Sequence, residues 1–322
     1  MTAPRDPAAR LEKAQAGDII ALSQLISAIE SGRAQLDGVL RDIYTTGGRA
    51  RVIGVTGPAG SGKSSLTSAL LRVWRGRGEK VAVVAVDPSS ALTGGAILGD
   101  RLRMTEHSAD PGVYVRSVSA RGALGGLSRA TADVVAVLDS AGWDTIVVET
   151  VGVGQDEVDV MRIAHSVVVV SVPGLGDDVQ AMKAGLLEIA DLHVVNKADR
   201  KDARRTVTEL RAMLRLAGAV APRQPGRWLP PVLETIALDG TGVGELADEL
   251  ARHHAWLRES GELDKRLLAA AAERIRSIAK ELLMERLGDP ATSSPFGALA
   301  REVAARKLDP HAAARMLISD RD

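Results

Sequence analysis

The spacing of apolar positions changes near residue 50. From about Ala8 to Thr45, leucine and isoleucine recur at helical intervals, as in DIIALSQLISAIES, which predicts packed helices. From Arg51 the apolar residues gather into short β-branched runs: VIGVT (52–56), VAVVAVD (81–87), VYVRSV (113–118), TIVVET (145–150), SVVVVSV (166–172), LHVVN (192–196) and VLETIA (232–237). These runs are apolar at successive rather than alternate positions, the pattern of strands covered on both faces. Helical patterns lie between most of them, so right-handed crossovers give a doubly wound α/β layer with a mainly parallel sheet. Beyond Gly240 no strand pattern returns. GVGELADELARHHAWLRES and LDKRLLAAAAERIRSIAKELLMERLG read as long helices, and PFGALAREVAARKLDPHAAARMLIS as two shorter ones. The predicted organisation is an N-terminal helical segment (1–48), an α/β core (49–258) and a C-terminal helical arm (259–322), with no internal repeat.

Composition narrows the chemistry. Aromatic residues are 2% of the chain, so Leu, Val, Ile and Ala must fill the core. Forty-one basic residues balance forty-one acidic ones, which removes any net attraction to nucleic acid or an anionic membrane. The chain has no cysteine, which excludes disulfides, thiolate catalysis and cysteine metal sites. No apolar run nears the roughly 20 residues of a membrane helix, and the N-terminus lacks a signal-type apolar core. A soluble cytoplasmic protein is the expectation.

The strongest local signal is GPAGSGKS, running through Gly57, Pro58, Ala59, Gly60, Ser61, Gly62, Lys63 and Ser64, with Ser65 next. It has the Walker A form, follows the strand VIGVT and precedes the helical stretch KSSLTSALLRVWRGRG, the context this motif requires. Glycines let the backbone turn successive amides toward phosphate oxygens at a helix N-terminus. Lys63 is expected to bridge the terminal phosphates, and Ser64 to place its hydroxyl on Mg²⁺. The chain therefore reads as a P-loop NTPase.

Mg²⁺ takes oxygen ligands, and three carboxylates lie at or beyond strand carboxyl ends. Asp87 closes VAVVAVD, Asp100 lies in the loop TGGAILGDR, and Glu149 opens Glu149-Thr150-Val151-Gly152, a DxxG-like switch with Glu in the acidic place. Each could instead be a solvated loop carboxylate or a helix cap. Gly152 is the expected amide donor to the γ-phosphate. Asn196-Lys197-Ala198-Asp199 follows the strand LHVVN and has the NKxD form. Asp199 matches the adjacent N1–H and amine donors of guanine, which adenine lacks, so the base expected is guanine. Asn196 is expected to tie this loop to the phosphate loop and Lys197 to pack on the base. Thr235-Ile236-Ala237 ends the next strand, where a backbone amide could read guanine O6. The six histidines show no metal-ligand spacing and read as structural or solvated.

Taken together, GPAGSGKS, VDPSS, TGGAILGDRLRM, RSVSARGALGGLS, ETVGVGQDEVDV, PGLGDDVQAMKAG, NKAD and KLDPHAAARML resemble the MeaB/ArgK-type GTPases over nearly the whole chain. The resemblance implies a homodimeric GTP-hydrolysing chaperone. Such a protein gates adenosylcobalamin delivery to methylmalonyl-CoA mutase, or a related acyl-CoA mutase, and protects it. It implies phosphate and Mg²⁺ roles for Lys63, Ser64, Asp87, Asp100 and Glu149, and a guanine role for Asn196, Lys197 and Asp199. It also implies a third switch from Pro173 to Lys183 and a dimerising C-terminal arm. The phosphate loop departs slightly from the family, reading PAGSG where many relatives have a PGVG-like stretch.

No Gln directly follows the ETVG switch, since Val153 and Gly154 precede Gln155, so a slow intrinsic GTPase is expected. Lys183 or Arg101 could supply the missing cation, or be solvated loop charges. Competing readings are a kinase for a small molecule or protein, as the older ArgK description has it, and a non-hydrolysing scaffold fixed by GTP. A metallochaperone is a fourth, disfavoured by the absence of Cys or His clusters.

Overall fold

The computed structural model describes residues 6–31, 37–87, 106–107, 109–119, 129–150, 159–173, 188–220, 226–287 and 295–319. They divide into two compact units, Met1–Leu267 and Leu268–Asp322, with the division inside one long helix.

The first unit begins with α1 (Pro7–Gln15), α2 (Ile19–Glu30) and α3 (Asp37–Thr46). Both of the first two start on an aspartate N-cap: Asp6 accepts the Ala8 amide, and Asp18 those of Ile20 and Ala21 at 2.9 and 3.0 Å. Then come β1 (Arg51–Thr56), α4 (Lys63–Gly76), β2 (Val81–Asp87), β3 (Val113–Ser119), α5 (Arg129–Ser140), β4 (Thr145–Thr150), β5 (Ser166–Ser171), β6 (Leu192–Asn196), α6 (Ala203–Val220), β7 (Val232–Thr235), α7 (Val243–Glu259) and α8 (Glu262–Leu287). The seven strands form one parallel sheet in the order β3-β2-β4-β1-β5-β6-β7. Each apolar run of the sequence became a strand, the last one ending at Thr235 rather than at residue 237.

The unbroken apolar runs have a direct explanation. Successive strand residues point to opposite faces, and both faces here are covered. Val52, Val84, Ile146, Val148 and Val169 join the N-terminal helices, α5 and α6 on one side. Ile53, Val83, Val147, Val168 and Val194 join α4 and α7 on the other.

At the amino edge of the sheet, a polar cluster binds α7 and the start of α8 to β5 and β6. Asp191, just before β6, accepts both terminal nitrogens of Arg266 at 2.8 Å and the Val167 amide at 2.9 Å. Arg266 also donates to the His165 carbonyl at 2.8 Å. His253 sets its Nδ1 2.8 Å from the Ser166 hydroxyl and its Nε2 3.3 Å from Asp191. Its ring lies 4.7 Å from Trp228 and 5.6 Å from Trp256. Burial pushes the Asp191 carboxyl up, but its hydrogen bonds from Arg266 and His253 outweigh this and hold it below the usual range.

The second unit holds the rest of α8, with α9 (Pro295–Ala304) packed on α10 (Pro310–Ser319). Among the described residues, no helix is long and apolar enough to cross a membrane.

Candidate functional site

β1 sits where the strand order runs both ways, and ligands of such sheets bind at the carboxyl edge beside that point. The residues selected from the sequence converge there. Beyond Thr56 the chain turns at Gly57 (φ +137°), where a Cβ would stand 2.2 Å from the Val170 carbonyl oxygen of β5. Gly62 (φ +87°) caps α4 with no side-chain hydrogen bond, and a Cβ there would meet Asn196 Nδ2 at 2.5 Å. Both positions therefore need glycine, for the turn and for the close approach of its neighbours. The amides opening α4 therefore donate no hydrogen bond to the N-cap residue, and a helix N-terminus of this kind can accept an anion.

Lys63 folds back over this loop, donating to the carbonyls of Gly57 and Pro58 at 2.8 and 3.0 Å. Ser64 donates its hydroxyl to Glu149 Oε1 at 2.5 Å. Both residues are buried, Ser64 at 6% and Glu149 at 3% exposure. A hydroxyl and a carboxylate in contact, next to an amide-lined loop, form a hard-oxygen donor set that fits Mg²⁺. Asp87 ends β2 at the same edge, though its side chain lies outside the described residues. Asp100, Arg101, Gly152 and Lys183 also lie outside them.

The NKAD loop joins the phosphate loop directly. Asn196 Nδ2 donates to the Ser61 carbonyl at 3.0 Å, and Lys197 Nζ to the Gly60 carbonyl at 2.9 Å. Asn196 Oδ1 accepts the Thr235 hydroxyl and the Ala237 amide, each at 3.2 Å. The Ile236 amide donates to Thr241 at 3.0 Å, so two of the three amides considered for guanine O6 are already engaged within the fold. Lys197 holds φ at +58°, which turns the chain so that the exposed Asp199 follows.

One contact escaped the sequence reading. Thr150 donates to Thr56 at 3.0 Å between two buried hydroxyls, joining the residue before the phosphate loop to the residue after Glu149. A threonine closing both β1 and β4 at the same edge was the available signal. The described histidines lie elsewhere. Burial lowers His165, His193 and His254 to about 4 each. Among the described residues, no group of three or more His, Asp or Glu side chains could hold a metal.

Comparison with known proteins gives the family. A Pyrococcus abyssi protein named as a GTPase is 44% identical over 310 residues, covering 96% of this chain and 95% of the relative. A Mycobacterium bovis protein also named as a GTPase is 39% identical over 310 residues, covering 94% and 91%. A solved structure described as an LAO/AO transport system kinase superposes with a TM-score of 0.73 at 26% identity, covering 99% of this chain and 98% of its own. The fold is that of the P-loop GTPases. Residues 22–291 match the family described as methylmalonyl Co-A mutase-associated GTPase MeaB, and the chain belongs to that family.

Proposed function

We propose that this chain is a Mg²⁺-dependent GTPase that gates adenosylcobalamin delivery to a cobalamin-dependent acyl-CoA mutase, methylmalonyl-CoA mutase before others, and protects that enzyme. The observation that carries the nucleotide reading is the joining of the two loops by Asn196 and Lys197, beside the contact of Ser64 with Glu149. The family description supports the partner.

In this reading Lys63 leaves the two carbonyls it now holds and meets the terminal phosphates, while the α4 amides cradle them. Ser64 and Glu149, with Asp87 and Asp100, would hold Mg²⁺, which would neutralise charge on the phosphates. Gly152 offers its amide to the γ-phosphate, and Lys183 brings a cation to the developing charge. Asp199 accepts the two guanine donors. The intrinsic rate is slow and rises when the mutase orders the switches.

The organisation we propose keeps 1–48 as a helical segment, 49–258 as the GTPase core and 259–322 as a dimerising arm, in a cytoplasmic homodimer. Leu268, Ile275 and Leu282 recur every seven residues along α8 at 73%, 69% and 52% exposure, a seam suited to a second helix.

The test is GTP hydrolysis by the purified protein, alone and with cobalamin-dependent methylmalonyl-CoA mutase. A slow rate that rises with the mutase, with ATP inert, is expected. A rate unmoved by the mutase rejects that partner and keeps the GTPase. Transfer of labelled γ-phosphate to an acceptor other than water would instead favour a kinase.

A further inference from the structure

The outer face of α6 carries charge that the fold does not balance. Ala203, Thr206, Val207 and Leu210 form the buried side of this helix. Arg204, Thr208, Arg211 and Arg215 are exposed, and their spacing of four, three and four residues sets them in one row along it. At 1.5 Å per residue the row is about 16 Å long. From Arg200 to Arg215 the chain holds six basic residues and two acidic ones, within a sequence whose forty-one basic and forty-one acidic residues balance.

Other helices neutralise such residues within themselves. On α7, Arg252 donates to Glu249 at 2.7 Å; on α8, Lys265 meets Glu262 at 3.2 Å and Arg276 meets Glu273, each pair three residues apart. On α6 the Glu209 carboxylate goes to Arg205, which stands beside the row, at 2.8 Å. No acidic residue lies three or four positions from Arg204, Arg211 or Arg215. Arg211 reaches a backbone carbonyl, that of Val232, at 3.2 Å. Arg204 and Arg215 enter no ion pair among the described residues. Arg211 and Arg215 are four apart, where like charges repel and weaken the helix. Carboxylates lined up outside the row would reverse that penalty. Leu216, next to Arg215, is 71% exposed and adds an apolar side chain at the end of the row. Residues 199–216 hold no aromatic side chain on which bases could stack, and one leucine is too little to seat a helix in a bilayer. Charge in a row with an apolar end suits a protein surface instead.

We propose that the Arg204, Arg211 and Arg215 face of α6 is a docking surface for a protein segment with carboxylates along one side, with Leu216 packing at its end. Placing that segment on the mutase rests on the reading of the partner above. The arginines then act mainly on the rate of encounter, through a field that salt screens, and Leu216 on the lifetime of the complex.

The experiment measures association of methylmalonyl-CoA mutase with the full-length, GDP-loaded protein at low and high salt, with fluorescein-labelled polyglutamate as a second probe. Arg204→Glu combined with Arg215→Glu is expected to slow association at low salt about tenfold and to flatten its dependence on salt, with basal GTP hydrolysis unchanged. The change places a glutamate four residues from Arg211, so the variant should fold at least as well as its parent. Leu216→Ser should speed dissociation about threefold and leave the salt dependence as it was. Arg77→Glu combined with Arg252→Glu removes the same charge elsewhere and should alter association far less. An equal loss in that control would reduce the effect to net charge and overturn the proposal. Association of both probes unmoved by Arg204→Glu with Arg215→Glu would overturn it too. Tighter binding of an oligothymidylate or of phosphatidylglycerol vesicles than of polyglutamate, lost in the same variant, would give the face to a nucleic acid or a membrane instead. If the parent protein binds polyglutamate through this face but does not bind the mutase, the docking surface stands and the mutase reading fails.

Discussion

The two edges of the one sheet use polar side chains in opposite ways. At the amino edge, Asp191 meets Arg266, His253 and a backbone amide, and tryptophan rings flank the cluster. Opposite charges meet there, in a set of contacts that needs no further component. At the carboxyl edge, Lys63 donates to backbone carbonyls and Glu149 accepts a serine hydroxyl. Phosphate oxygens and a cation can replace those bonds with stronger ones. One edge holds the fold together, and the other holds groups ready to be rearranged.

Substitution should separate the edges. Lys63→Ala should lower GTP hydrolysis by about 10³-fold, the scale for removing a group that meets transition-state charge. The melting temperature of the nucleotide-free protein should move little. Asp191→Ala should do the reverse. It leaves Arg266 without its carboxylate, a loss of about 3 kcal/mol, the low end for a broken buried pair because Arg266 is 32% exposed, read by chemical denaturation. Affinity for GDP in the protein that remains folded should be unchanged. If Asp191→Ala weakened GDP binding as much as it weakened the fold, the separation of the edges would be wrong.

The same contrast explains what was legible in the sequence. The strands were readable because burial on both faces makes successive positions apolar, as in VAVVAV (81–86) and VVVV (167–170). The GPAGSGKS and NKAD loops were readable because each packs its pattern into a few consecutive residues. The amino-edge cluster was not. Asp191, His253 and Arg266 lie far apart in the chain and meet only after α7 and α8 have folded against β6, so no local spacing announces them. His253 read simply as one of six structural or solvated histidines, and its place between Asp191 and Ser166 is a tertiary fact. Thr56 and Thr150 were hidden for the same reason, since each completes an ordinary strand.

His193 sharpens the comparison through pH. It lies within β6, its side chain fully buried, and its ring nitrogens have no hydrogen-bond partner among the described residues. Burial lowers it from 6.5 to about 4. The folded protein therefore keeps it neutral where the unfolded chain binds a proton. Stability is full above pH 6.5, falls as pH drops toward 4, and levels off below that. Each pH unit between the two values is worth 1.36 kcal/mol, so His193 alone accounts for about 3 kcal/mol across this window. His165, lowered to about 4 mainly by burial, acts with the same sign. His193→Leu should make the plot of unfolding free energy against pH shallower between 6.5 and 4, with stability at pH 7 no lower. A plot as steep as that of the parent protein would mean that His193 does not stay neutral in the fold.

The smallest effect expected tests the hydroxyl pair between the edges' shared strands. The ladder of β1 with β4 has its last rung at Val55 and Glu149, and the bond from Thr150 to Thr56 extends the pairing one residue beyond it. Thr150→Val keeps the shape and removes the donor, leaving the buried Thr56 oxygen without it, at a cost of about 1–2 kcal/mol. Thr56→Val should cost a similar amount by stranding the Thr150 hydroxyl. The double variant removes both polar groups together, so it should recover most of the loss, with a coupling of about 1 kcal/mol in the cycle. Activity should behave differently from stability. Glu149 precedes Thr150 and Gly57 follows Thr56, so the bond sets the spacing between Glu149, the carboxylate proposed for the metal, and the phosphate loop. The double variant should therefore regain stability but not its full rate of GTP hydrolysis. If rate and stability returned together, the bond would be only a support for the strands, and this contact would belong with the amino edge rather than with the site.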